Sequence, residues 1–354
     1  MVFIVVFIFA VILLFFLIKH VRFQKQYKKR LGIFKNSPYY FQNTFHNLEP
    51  TPLLMDFKKG IKELFFTNKK NKIPSCKIPA LKTDFMNLNP KENLFVWFGH
   101  SSYFLQLNNM RFLIDPVFSS HASPVPFIKR PFKGTNLYSA KDMPPIDYLI
   151  ITHNHYDHLD KKTVQSLKNK VKTIICPLGV GIYFELWGFS SHQIIEKDWG
   201  DQISLASQSS IHVVPARHFS GRSLKRNQTL WASYVLSTPH LNIFLGCDGG
   251  YGGHFQKIGE DFGPFHLAFL ENGQYNPLWE NIHAFPFQTL KIAQQIMPIH
   301  SSKFSLSSHP WQEPLEQISQ LAPNFCIPIL TPKIGEVVFI DKPNPQISSW
   351  WQEC

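Results

Sequence analysis

The stretch "ITHNHYDHLD", residues 151–160, sets three histidines and two aspartates within ten positions. Inside it His153, His155, Asp157 and His158 stand two, two and one residue apart. Imidazole nitrogens and carboxylate oxygens bind a cation such as Zn²⁺ at about 2.0–2.2 Å. Four such donors within six residues are hard to place together without a cation to share them. The alternative to one wall of a metal site is an exposed turn that is His-rich by composition.

The elements around the stretch bear on that choice. The preceding "DYLIIT" is a near-continuous apolar run, the mark of a buried strand. A strand end that opens into a loop can turn alternating side chains towards one point. From residue 94, "LFVWF", "YFLQL" and "RFLI" read as hairpin strands separated by "GHSS" and "NN". After the His-rich loop, "KKTVQSLKNK" reads as a helix, "TIIC" as a strand and "LGVGIYFELWG" as a helix ending at Gly188. The second half repeats the alternation. Strands are expected in "IHVVPA", "TLWASYVLS", "LNIFLGCD", "HLAFL", "MPIH" and "GEVVFI", and helices in "GHFQKIGEDFG", "PFQTLKIAQQI" and "EPLEQISQL". This order predicts a layered α/β sandwich in two similar halves.

The 354 residues suffice for one large domain or two ordinary ones, and 44% hydrophobic residues allow a sizeable core. The net charge of +12 is unevenly placed: residues 1–75 hold 13 Lys/Arg against 3 Asp/Glu, the rest 23 against 21. The main domain is therefore nearly balanced, which argues against a nucleic-acid groove. The 5 cysteines are scattered without a C-x-x-C pair, against a disulfide framework and in keeping with a reducing compartment.

The N-terminus opens "MVFIVVFIFAVILLFFLI", 18 residues without a charge. Such a run can cross a bilayer core of about 30 Å as a helix. It lacks the leading positive charge and small-residue cleavage site of a signal peptide, so residues 1–18 are expected to be an uncleaved transmembrane anchor. Lys19, Arg22, Lys25, Lys28, Lys29 and Arg30 follow the span. The positive-inside rule puts the main domain on the cytoplasmic side of the membrane, with this cluster against anionic headgroups. Residues 19–90 read as a basic membrane-proximal segment, partly helical around Ile61–Phe66, and residues 91–345 as the main domain.

The spacing H-x-H-x-D-H resembles the signature of the metallo-β-lactamase superfamily, whose αββα sandwich matches the alternation above. "WFGHSSYFLQL", "FLIDPVFSSHASP", "PPIDYLIITHNHYDHLD", "GCDGGYGGHFQKIGEDFGPFHLAFL" and "PIHSSKF" resemble the N-acyl-phosphatidylethanolamine-hydrolysing phospholipase D branch and its bacterial relatives. The resemblance implies a dinuclear zinc hydrolase with further ligands at later strand ends, here His218, Asp248 and His300. His153, His155 and His218 would hold one zinc ion, and Asp157, His158 and His300 the other, with Asp248 bridging. A hydroxide shared by the two ions is then the nucleophile, and Asp157 can take a proton as well as bind metal. His283 corresponds to a histidine near the substrate, with an ordinary loop histidine as the alternative. Asp115 is expected to orient the metal loop, with a structural turn aspartate before Pro as the alternative, Asp160 to cap the following helix, and His100 to lie behind the ligands or at the surface. In "LENGQYNPLWEN", Glu271, Asn272 and Gln274 are expected to make the substrate side more polar.

The implied activity is hydrolysis of a phosphodiester bond in membrane lipids of the N-acyl-phosphatidylethanolamine type. A lactone or ester hydrolase is the alternative within enzymes, since the same centre attacks carbonyl carbon. A non-catalytic membrane-bound binding scaffold is the alternative outside them. Relatives in the branch suggest a homodimer, although no feature of this sequence marks a seam.

Overall fold

The computed structural model describes residues 2–56, 58–59, 71–222, 225–342 and 349–354, and of residues 2–13, 15 and 16 only the backbone. The chain begins with one helix, α1 (Val2–Phe34), and a small hairpin, β1 (Tyr40–Phe41) and β2 (Thr44–Phe45). Alternating, mostly buried segments then build two mixed sheets. The first contains β3 (Leu94–Trp97), β4 (Tyr103–Leu107), β5 (Met110–Ile114), β6 (Ile146–Ile150), β7 (Val171–Pro177) and β8 (Ile194–Lys197). The second contains β9 (Gln202–Ser204), β10 (Ser210–Val214), β11 (Ser233–Ser237), β12 (Asn242–Leu245), β13 (Leu267–Glu271) and β14 (Ile296–Ile299). The last strand, β15 (Val337–Phe339), returns to the first sheet, giving the orders β15-β3-β4-β5-β6-β7-β8 and β14-β13-β12-β11-β10-β9. In each sheet the outer hairpin strands are antiparallel, and β5-β6-β7-β8 and β12-β13-β14 are parallel.

The sheets face each other through aromatic side chains. Tyr103 of β4 stacks on Phe269 of β13 at 4.1 Å between ring centroids, and Phe95 of β3 meets the same ring edge-on at 5.0 Å. Each such pair adds about 0.5–1.5 kcal/mol beyond the area it buries. Outside the first sheet lie α2 (Lys161–Ser166) and α3 (Gly181–Leu186). Outside the second lie α4 (His254–Phe262), the short α5 (Pro286–Thr289) and α6 (Glu313–Phe325), where Ile258 and Ile318 cover Val235, Phe244 and Ala268. This is the four-layer α/β sandwich expected from the alternation. Two strands, β8 and β9, are not evident in the sequence, because their half-buried positions mix polar and apolar residues. "PFQTLKIAQQI" is helical only over its first four residues, and "KKTVQSLKNK" only over six.

The N-terminal segment is built into the domain. Phe23, Tyr27, Arg30 and Phe34 recur at helical spacing on one face of α1, and Phe23 stacks on Tyr183 of α3 at 4.9 Å. Arg30 pairs with both Glu185 and Glu196. Burial raises the pKa of Glu196, against which the Arg30 guanidinium acts. Arg22, Lys25, Lys28 and Lys29 remain exposed, so only part of the basic cluster faces solvent. Among the described residues no helix is long and apolar enough to cross a membrane. The run expected to span one falls mostly on side chains outside the description, and Leu14, Leu17 and Ile18 are exposed. The helix expected around Ile61–Phe66 lies outside the described residues.

The cysteines depart from the sequence expectation at one point. Cys76 and Cys354 are joined, 278 residues apart in sequence, whereas Cys176, Cys247 and Cys326 are free. Only the folded path of the chain, which brings its C-terminus against the N-terminal segment, makes this pairing visible.

If Arg30 locks α1 to the sandwich, Arg30→Met leaves two acids facing each other without their cation. We expect a loss of about 2 kcal/mol in urea unfolding, below the range for breaking fully buried pairs because this pair is partly exposed. A loss below about 0.5 kcal/mol would show that the helix is not held by this contact.

Candidate metal centre

Four strand ends deliver the candidate ligands. The loop after β6 carries His153, His155, Asp157 and His158; His218 follows β10, Asp248 follows β12, and His300 comes directly after β14. His153, His158, His218, Asp248 and His300 are buried, and His155 and Asp157 lie at the partly open edge. The structure brings all seven together. One group is His153, His155 and His218, with His153 Nε2 2.8 Å and His218 Nε2 3.3 Å from His155 Nδ1. A second is Asp157, His158 and His300 with His100 added, each offering an atom within 4.8 Å of the others. Asp248 stands between the groups: Oδ2 is 2.9 Å from His158 Nε2 and 4.0 Å from His153 Nε2, and Oδ1 is 3.0 Å from His300 Nδ1.

This arrangement suits divalent cations. His158 Nε2, His300 Nε2 and Asp248 Oδ1 are buried and close to other polar atoms, yet make no aligned hydrogen bond. Burial, followed by the charge of neighbouring imidazoles, holds His153, His218 and His300 well below the ordinary histidine range, so they are neutral donors. Burial takes His155 down to about 3. Burial also disfavours charge on His158, but the carboxylates of Asp248, Asp157 and Asp115 outweigh it and raise that imidazole. Asp157 is held below the usual carboxylate range: burial opposes its charge, and His158 and His100 overcome it.

A second layer of contacts holds the donors in place. Asp115, at the end of β5, accepts from Thr152 N–H at 2.9 Å and pairs with His158 Nδ1 at 2.7 Å, so one carboxylate fixes both the loop and a ring. That is the orienting role the sequence assigns to it. Asp160 caps α2 through Lys162 N–H at 3.1 Å and accepts from Ser119 N–H at 3.0 Å. Arg222 donates to the carbonyls of Asn154 and Leu159 at 3.1 and 2.6 Å, bracing the His-rich loop from beneath. Asn47, from the N-terminal segment, clamps His218 by donating to its carbonyl at 2.7 Å and accepting its N–H at 3.1 Å.

His100 is drawn into the centre more closely than its sequence context indicates. Its Nε2 lies 2.9 Å from Asp157 Oδ2, its ring centroid is 4.1 Å from that of His300, and burial takes it down to about 4 against the pull of Asp157. The backbones of the two loops exchange hydrogen bonds, His100 N–H to Ser301 at 2.8 Å and His300 N–H to His100 at 3.0 Å. Both histidines have positive φ, +57° and +64°. The triplet His-Ser-Ser recurs at 100–102 and 300–302, once in each half of the sandwich, and was the available signal for this pairing. Lys303, next in the later loop, is fully buried and donates to the carbonyls of Phe98 and Val117 at 3.1 and 2.9 Å.

His283 also reaches the centre, in one group with Asp248 and His300. Its Nδ1 bonds Glu271, whose other oxygen accepts the N–H of Gly249. Burial pushes Glu271 up and His283 down. The expectation of a polar substrate wall in "LENGQYNPLWEN" is corrected here, because Glu271, Asn272 and Gln274 are all buried. Asn272 donates to Pro314, and Gln274 binds the backbone of His300, Phe304, Leu306 and Ser307, so these groups serve as internal braces. Gly273 between them is irreplaceable on steric grounds, since a Cβ there would lie 2.2 Å from the His300 carbonyl.

The fold and the buried His/Asp cluster define a metal-dependent hydrolase. Residues 110–301 match the family described as the Beta-lactamase superfamily domain, and the chain belongs to the metallo-β-lactamase superfamily. An uncharacterised protein of Mycobacterium tuberculosis is 32% identical over 335 residues, covering 91% of this chain and 89% of that one. N-acyl-phosphatidylethanolamine-hydrolyzing phospholipase D 1 of Caenorhabditis elegans is 26% identical over 293 residues, 75% of this chain and 80% of the relative. The solved structure of a metallo hydrolase from the archaeon Ignicoccus hospitalis has the same fold, with a TM-score of 0.50, 19% identity, and coverage of 70% of this chain and 97% of that one.

Asp115→Asn should keep the hydrogen bond from Thr152 while weakening the hold on His158. We expect metal affinity to fall about 10–100-fold at unchanged helix and sheet content, measured by competition with a chromophoric chelator. Unchanged affinity would limit Asp115 to a backbone role.

Proposed function

We propose that this chain is a membrane-anchored, zinc-dependent phosphodiesterase of phospholipase D type, acting on lipids of the N-acyl-phosphatidylethanolamine class. The observation that carries the reading is Asp248, a buried carboxylate standing between two clusters of neutral imidazoles and acids. His153, His155 and His218 would hold one ion, Asp157, His158 and His300 the other, and Asp248 would contact both. Divalent ions so held supply Lewis acidity towards a phosphoryl oxygen and acidify a water molecule near neutral pH. Asp157, at the open edge, is assigned both a share in holding the ion and the acceptance of a proton at its carboxylate. His283, steadied by Glu271, is assigned to the substrate.

The membrane part of the reading rests on the uncharged N-terminal run and on Arg22, Lys25, Lys28 and Lys29, which α1 leaves exposed beside it. A single span with the sandwich on the cytoplasmic face puts these cations at an anionic headgroup layer. The similarity to the nematode phospholipase supports a phosphodiester in the lipid headgroup as the scissile group, and a homodimer is carried over from that branch. The near-balanced charge of residues 76–354 speaks for no nucleic-acid substrate.

A panel of N-acyl-phosphatidylethanolamine, a soluble phosphodiester and a lactone, given to the full chain with its metal content measured, tests this. We expect about two zinc ions per chain and release of N-acylethanolamine. Asp248→Asn should lower turnover to below about one per cent with the fold retained. Hydrolysis of the lactone alone would replace the lipid reading by that of a lactone or ester hydrolase, and a stable chain that binds no metal would end the mechanism.

A further inference from the structure

The loop "SPVPFIKRPFK", residues 123–133, is used by none of the chemistry above, yet it exposes the most apolar tip among the described loops. Phe127 is 76% exposed, Ile128 52% and Val125 43%. The tip is held out by its own backbone. Phe127 has φ +77°, a region bulky residues rarely occupy, and Pro124, Pro126 and Pro131 restrict the chain on either side. Its base is fixed: Ala122 N–H bonds the Lys129 carbonyl at 3.0 Å, and Phe132 N–H bonds the Lys303 carbonyl at 2.8 Å. Ala122 packs with Val117 and Phe304, and the Phe304 ring is 5.2 Å from that of His100. The base of the loop is therefore linked through Phe304 to His100 of the metal centre.

Charge indicates what it meets. From Pro116 to Lys141 the chain has no acidic residue, and Lys129, Arg130 and Lys133 follow the tip in sequence; the Arg130 guanidinium is 5.0 Å from the Phe127 ring centre, and Lys129 donates to the Ser305 carbonyl at 3.3 Å. An apolar point next to cations suits the boundary between anionic headgroups and acyl chains. A second copy of the same face would set like charges against each other.

A chain of contacts also runs from the part of α1 read as leaving the membrane to the start of this segment. Lys19 lies near Lys161 and Arg222; after burial, their charges are what depress its pKa. Lys161 begins α2, whose cap Asp160 holds Ser119 at the start of the loop segment. Leu14, Leu17, Ile18 and Val21 of α1 and Val125, Phe127 and Ile128 of the loop are all exposed, and both segments connect to the end of the His-rich loop through Lys161 and Asp160.

We propose that residues 123–130 are a membrane-insertion element, in which Val125, Phe127 and Ile128 enter an anionic lipid surface while Lys129, Arg130 and Lys133 contact its headgroups. Docked in this way, the loop holds the domain that carries the metal centre against the bilayer, a role independent of which bond the centre cleaves.

The test uses the full chain in vesicles. Cys176 and Cys247 are buried and Cys326 is exposed, so Phe127→Cys in a Cys326→Ser background gives one accessible site for an environment-sensitive fluorophore. In vesicles of phosphatidylcholine with phosphatidylglycerol, blue-shifted emission quenched by lipids spin-labelled near the headgroup is expected. Reversing Lys129, Arg130 and Lys133 to Glu should reduce the quenched fraction about tenfold. Water-like emission in the anionic vesicles would overturn the proposal, as would quenching indifferent to the three reversals. A shift that follows protein density without vesicles would replace the lipid surface by a second copy. Because the label reports depth and not turnover, failure of the phosphodiesterase reading leaves this measurement intact.

Discussion

The centre of this structure depends on the desolvation of imidazoles and carboxylates in one small volume. His153, His158, His218 and His300 are almost without solvent contact, and Asp248 is buried among them. Burial of so many polar groups is costly unless each has a partner, and here several have none of proper geometry. The same burial keeps most of the imidazoles neutral and therefore able to donate a lone pair. Isolated from cations the cluster is a liability to the fold, whereas with cations it is a site.

What holds that cluster is distributed over the whole molecule. Asp115 comes from the first sheet, Glu271 from the second, Arg222 from the loop after β10, and Asn47 from the N-terminal segment. The two His-Ser-Ser loops lock to each other through their backbones, so the halves of the sandwich are registered at the point where His100 and His300 stack. Tyr234 adds a direct tie between the sheets, its hydroxyl donating to the Ile151 carbonyl at 2.8 Å, immediately before the His-rich loop. A displacement in any of these elements is felt at the ligands, because close-packed interiors transmit strain.

The N-terminal helix couples this core to its surroundings. Its docked face is set by Phe23, Tyr27, Arg30 and Phe34, while its other face presents cations and its earlier turns present apolar side chains. The loop at 123–130 likewise exposes apolar side chains, Val125, Phe127 and Ile128, beside the cations Lys129 and Arg130.

Sequence alone determined the parts of this protein that follow local rules. Strand and helix periodicity made the sandwich legible, and the tight spacing of His153, His155, Asp157 and His158 made half of the metal site legible, because neighbours at a strand end must point near one another. His218, Asp248 and His300 came into view only through resemblance, since no local rule links residues so far apart. Tertiary structure decided the rest. It placed His100 beside Asp157, turned Glu271, Asn272 and Gln274 inward as braces, joined Cys76 to Cys354, and docked α1 through Arg30. Each of these is a contact between distant segments, and its partner is set by how the two sheets pack, which composition and periodicity do not encode.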